Sequence, residues 1–185
     1  MVNDKSKAKL LLHSCCAPCT TAVYEKLCSD FDVTLFWFNP NIEPLLEHEK
    51  RLSELRKLSK ILKIELIISD KYTAENQSWN LLVKNFANEK EGGNRCNLCI
   101  KNRLLNTAKY AEDNNFDYFA TTLTVSPHKN SKIINEIGNN ISGKLDIKFL
   151  DEDFKKENGY LRSIELSKKY DLYRQNYCGC KFSLV

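Results

Sequence analysis

Long apolar runs are missing from this 185-residue chain. No stretch approaches the roughly 18 apolar residues of a bilayer-spanning helix, so neither a spanning segment nor a membrane partner is expected. The opening "MVNDKSKAKLLLHS" is positively charged but has only three leucines before polar residues return. That is too short for the core of a signal peptide, and the expected location is cytoplasmic. A Gly-x-Gly-x-x-Gly turn and a Walker A lysine loop are also missing, so a nicotinamide or nucleotide cofactor has no sequence support. No repeat, low-complexity tract or linker divides the chain, and one domain over residues 1–185 is expected. A strong charge imbalance is lacking too. The net charge of +4 permits contact with nucleic acid without demanding it, and reads equally as a lysine-rich solvated surface.

Cysteine, by contrast, is plentiful. There are eight, and seven fall in three short clusters: Cys15, Cys16 and Cys19; Cys96 and Cys99; Cys178 and Cys180. Cys28 stands alone at the end of the first helical pattern and reads as a packing residue. A reducing compartment disfavours a static disulfide framework, so the spacing matters more than the number.

Strand and helix patterns alternate along the chain. Strands are expected at Lys9–Ser14, Val33–Asn39, Lys63–Ser69, Phe116–Val125 and Asp146–Leu150, on β-branched and aromatic content and on terminating Asn-Pro and Ser-Pro pairs. Leucines at 45, 52, 55, 58 and 62 put an apolar stripe on one face of a helix over 45–62. Further helices are expected from Thr20, over 74–87, from Leu98 to Asp113, over 130–141 with a break at Gly138, and over 160–169. The tail "DLYRQNYCGCKFSLV" reads as irregular. Such alternation favours an α/β fold, a parallel sheet of about five strands with helices on both faces. Sites in such sheets form beyond the C-terminal strand ends, at the switch point of strand order, and "LHSCCAPC" sits at the end of the first strand.

Several chemistries suit the thiols. Two Cys-x-x-Cys pairs, "CAPC" and "CNLC", would satisfy one structural zinc but leave Cys15, Cys178 and Cys180 unused. An iron–sulfur cluster also takes four thiolates, and Cys15 and Cys16 with Cys96 and Cys99 would supply them. Cys19 lies near a helix start, where the dipole favours a thiolate, and "CGC" could close a strained, reducible disulfide. Redox chemistry is favoured over a purely structural site.

Taken together, "HSCCAPC", "FNPNIEP", "RCNLCIKNRL", "TTLTVSPHKN", "DFKK" and "LYRQNYCGCKFS" resemble the QueH-type, cobalamin-independent epoxyqueuosine reductases over nearly the whole chain. The resemblance implies a Rossmann-like (HUP-like) fold and reduction of epoxyqueuosine to queuosine at the wobble position of tRNA anticodons. It implies a 4Fe–4S cluster on Cys15, Cys16, Cys96 and Cys99. Cys178 and Cys180 would then be a redox-active disulfide pair or ligands of a second mononuclear metal, iron or zinc. Cys19 belongs to the same first-loop motif, and Asp153 of "DFKK" is a candidate oxygen ligand. Arg95, Arg103 and Arg174 are candidates for holding tRNA phosphates. His13, Tyr177 and His128 are candidate proton donors, and an external electron donor is required. The competing reading is a zinc-stabilised RNA-binding module without catalysis.

Overall fold

The computed structural model describes residues 7–69 and 71–183. Residues 1–6, the start of the segment weighed as a leader, lie outside it. Five strands form one parallel sheet in the order β3-β2-β1-β4-β5: β1 Ala8–His13, β2 Phe31–Trp37, β3 Leu66–Ile68, β4 Tyr118–Thr121 and β5 Lys148–Phe149. Six α-helices connect and cover them: α1 Ala17–Leu27, α2 Leu45–Leu62, α3 Tyr72–Val83, α4 Asn94–Asp113, α5 Ser131–Ser142 and α6 Gly159–Lys169.

The central strand explains the two faces. In β1, Leu10 and Leu12 point into one core with Val23 and Leu27 of α1 and Leu52, Leu55 and Leu58 of α2. Leu11 points the other way, into a core with Leu104 and Ala108 of α4 and Ile134 of α5. A strand buried on both faces reads as the unbroken apolar run "LLL" rather than as an alternating one.

Several expected boundaries move. The helix carrying Cys96 and Cys99 begins at Asn94, not Leu98, with Gly93 at its N-cap, so the "CNLC" thiols sit on its first turns. The fourth strand ends at Thr121 and turns into a 3-10 helix, Thr122–Val125. The expected break at Gly138 does not occur. Helix α5 runs through it, and the missing side chain makes room for Phe149, whose ring atoms would lie 2.4–2.6 Å from an added Cβ.

The order places the switch point between β1 and β4, where connections leave in opposite directions. The loop carrying Cys15 leaves β1 there. Among the described residues, no helix is long and apolar enough to cross a membrane.

Candidate active site: a thiol-lined cleft at the sheet switch point

Cys15 and Cys16 follow β1 directly, and Cys16 is the N-cap of α1, with Pro18 in its first turn. Proline is tolerated there because the first-turn N–H groups have no helical partner. This tight strand-to-helix turn brings the sulfurs of Cys15, Cys16 and Cys19 within 4.8 Å of one another, with Cys15 and Cys16 Sγ 3.8 Å apart. The other side of the switch point holds the turn in place. Cys15 N donates to Thr122 Oγ1 at 3.1 Å, and that hydroxyl lies 3.3 Å from Cys15 Sγ.

The electrostatics of the triad follow from sharing. The neighbouring Cys16 and Cys19 thiols donate toward Cys15 and hold it well below the usual thiol range, against burial; Thr122 and Lys129 assist. Cys16 is pushed up to about 12, chiefly because its thiol serves Cys15. Cys19 is raised as well, for the same reason. One sulfur carries the charge and two donate to it, a donor set suited to a thiophilic metal.

The other four cysteines line an adjoining cavity of ≈ 150 Å³: Cys96 and Cys99 from α4, and Cys178 and Cys180 from the tail. Burial raises Cys99, with Arg103 and the Trp79 N–H opposing it. Cys178 is lowered to about 4, first by the neighbouring Cys180 thiol, then by Ser183 and the Cys180 amide. Cys180 is raised correspondingly. A second cavity of ≈ 450 Å³ opens beside the first and is lined by Cys15, Cys19, Arg174 and Tyr177. Cys178, Arg103, His128, Lys129 and Glu91 face both cavities.

The expected disulfide is not present. All eight cysteines are free. Cys178 Sγ instead lies 3.1 Å from Ser183 Oγ and accepts the Cys180 amide at 3.4 Å. With Gly179 between them at φ +100, the backbone turns the Cys180 amide toward Cys178.

Other candidates separate sharply. Arg95 is 2% exposed, and its Nη1 donates to the carbonyls of Phe86, Ala87 and Glu89. It ties down the loop before α4 and is not free for a phosphate. Arg174 Nη1 donates to Ser163 O and Ser167 Oγ of α6. Arg103, buried, reaches Cys99 O and lies between the cavities. Asp153 lines neither cavity. It accepts from Ser131 Oγ at the start of α5 and pairs with Lys155. His13 is buried between Thr121 Oγ1 and Phe38 O, and burial lowers it to about 4. It lines neither cavity. Tyr177 donates its hydroxyl to Glu43 O, whereas His128 is exposed and faces both cavities. Cys28 caps the C-terminus of α1 at the opposite end of the strands, beside Phe31, Asp32 and Lys63.

Arg51, on α2, was missed because a lone arginine among leucines reads as a surface charge. It is 2% exposed, pairs with Glu47 at 2.6 Å, and donates to Tyr177 O and Cys178 O at 3.2 and 3.1 Å. Gly179 packs so closely on it that a Cβ there would lie 2.9 Å from Arg51 Nη1.

The fold and the cleft define a parallel-sheet α/β protein with a thiol-rich centre at its switch point, the arrangement of a metal- or thiol-dependent protein. Comparison with known proteins is more specific. A family model described as "Epoxyqueuosine reductase QueH" matches residues 10–185. A Staphylococcus epidermidis protein of that name is 39% identical over 187 residues, covering 98% of this chain and 79% of its own. Those of Streptococcus pyogenes and Thermotoga maritima are each 38% identical, covering 97% and 95% of this chain and 72% and 90% of theirs. This chain belongs to the QueH epoxyqueuosine reductase family. Among solved structures, the U34-tRNA thiolase NcsA from Methanococcus maripaludis, solved with its 4Fe–4S cluster, aligns with a TM-score of 0.59 at 14% identity. The alignment covers 98% of this chain and 63% of that one, and establishes a shared fold.

Proposed function

We propose that this protein reduces epoxyqueuosine to queuosine at the wobble position of tRNA. Membership of the family carries the reaction. The observation in its favour here is that six of the eight cysteines, from three distant segments, line two adjoining cavities at the switch point, with Cys16 packed against Cys15 and Cys19. That NcsA holds a 4Fe–4S cluster on the same fold is consistent with this reading.

The reaction removes one oxygen. The epoxide takes up two electrons and two protons, both C–O bonds break, a carbon–carbon double bond forms and water leaves. The proposed cluster ligands are Cys15, Cys16, Cys96 and Cys99, with Cys19 beside them. Cys178 and Cys180 are a redox-active pair or hold a second mononuclear metal, iron or zinc. When bound, the cluster supplies single electrons from an external donor, and a second metal supplies a Lewis acid for the departing oxygen.

The donor set fits these groups, since three sulfurs within 4.8 Å of one another can exchange their protons for a thiophilic metal. The chain's own side chains do the rest. The base occupies the larger cavity, flipped out of the anticodon loop. Arg103 and Lys129, which face both cavities, favour negative charge gathering at the oxygen. His128, exposed and facing both cavities, is placed to pass a proton to the departing oxygen. Arg174 lines the larger cavity, where its charge favours the RNA backbone.

Anaerobic purification with iron and sulfide analysis tests the proposal. A brown protein with about four irons and four sulfides per chain, the content of one such cluster, is expected. A colourless protein that holds zinc instead would favour the non-catalytic RNA-binding module.

A further inference from the structure

The chain has two tryptophans, and each is 1% exposed. A buried indole N–H almost always finds a partner. Trp37 does: its Nε1 donates to His48 Nε2 at 2.9 Å. Trp79 does not. Its Nε1 is buried and makes no hydrogen bond to any described group.

The surroundings of Trp79 say what the donor faces. Its ring packs with Val83, Cys99 and Cys180, and against Cys178 and Phe182. It lines the ≈ 150 Å³ cavity with four thiols. Cys99 packs with the ring in that buried group, and α4 carries it into the same cavity. The Phe182 ring lies 6.2 Å from that of Trp79, and Arg95 lies over Phe182 at 5.1 Å. A buried donor without a partner, on a ring that lines a cavity of thiols, is suited to a sulfur whose electron density rises during reaction.

We infer that Trp79 donates its indole N–H to sulfur at Cys99, either the ligand thiolate or a sulfide beside it, and so sets the reduction potential of the bound cluster. This rests on the proposal that Cys99 is a cluster ligand. Hydrogen bonds to sulfur stabilise the reduced, more electron-rich state and raise the potential. Trp79 is a positioning and tuning residue that does not touch the epoxide.

The test is a redox titration of the anaerobically reconstituted full chain, followed by electron paramagnetic resonance. Trp79→Phe keeps a large apolar ring and removes the donor, so its potential should become more negative at unchanged iron and sulfide content. Trp37→Phe is the control, because its lost donor served His48. It should lower the melting temperature and leave the potential in place. An unchanged potential in fully loaded Trp79→Phe would overturn the inference, and so would equal shifts in both variants. If Trp79→Phe does not fold, the wild type carrying tryptophan labelled at the indole nitrogen is measured by pulsed resonance. Coupling of the reduced cluster to that nitrogen supports the inference, and its absence overturns it. Failure of the wild type to hold iron and sulfide is seen first, in the metal analysis, and overturns the cluster reading with this inference attached.

Discussion

At the scale of single residues, the site depends on side chains that look ordinary in sequence. The cysteines were legible because clustered thiols in an expected reducing compartment have few other uses. Thr122, Lys129, Arg51 and Trp79 were not, since nothing local distinguishes a threonine facing Cys15 from one facing solvent. Histidine is the clearest case. His48 has the same sequence prior as His13 or His128, yet it is 3% exposed and accepts from Trp37 at 2.9 Å. Burial lowers its pKa, with Glu49 opposing. Below the ordinary histidine value of about 6.5 the unfolded chain binds a proton that the folded chain refuses. Stability is therefore complete above that value and falls as the pH drops toward the folded pKa. The metal-free chain should melt at a lower temperature at about pH 5.5 than at about pH 7. His48→Gln should shrink that difference, leaving the same-signed share of His13, and should cost about 0.5–1.5 kcal/mol at neutral pH through a poorer bond from Trp37. An undiminished pH difference in the variant would show that His48 does not titrate against folding.

At the scale of elements, periodicity located the five strands and six α-helices but misplaced several ends and missed the 3-10 helix at Thr122–Val125. The bounds Leu45–Leu62 agree with the sequence pattern because Leu52, Leu55 and Leu58 face one core, although Leu45, the first leucine of the expected stripe, is exposed. The start of α4 was missed because "NEKEGGNRC" is polar and glycine-rich, although Gly93 there serves as a cap. Gly138 misled in the opposite sense: its lack of a side chain serves Phe149, not a helix end. Gly138→Ala should gain about 1 kcal/mol of helix propensity and lose roughly 1–3 kcal/mol to overlap with that ring. The urea midpoint should fall; a rise would show that Phe149 yields freely. The tail is a different kind of element, irregular but anchored. Arg51→Gln removes the ion pair to Glu47 and the bonds to Tyr177 O and Cys178 O, at a cost of roughly 3 kcal/mol. Hydrogen exchange should rise at residues 172–183 far more than in β1. A uniform rise would mean that Arg51 supports the whole fold rather than the tail.

At the scale of the molecule, the parallel sheet explains why residues so far apart in sequence meet. The switch point between β1 and β4 gathers the first loop, the start of the 3-10 helix at Thr122 and the returning tail at one edge. The fold class and the edge carrying the site were readable from the alternation of elements. The division of thiols between two cavities was not, because it depends on how α4 and the tail pack. Binding of tRNA should be salt-sensitive despite a net charge of only +4, with a log–log slope of about −0.7 for each phosphate neutralised on the single-stranded loop. A flat response would indicate a free nucleoside as the substrate.

The most direct test is turnover. Anaerobically reconstituted protein is mixed with tRNA bearing epoxyqueuosine and a chemical reductant, and the wobble nucleoside is identified by mass after digestion. The wild type should convert epoxyqueuosine to queuosine, lighter by one oxygen. The Cys178→Ser, Cys180→Ser double variant should retain most of its iron and convert none. Unchanged epoxyqueuosine in the presence of fully loaded wild type, or normal conversion by the double variant, would contradict the account.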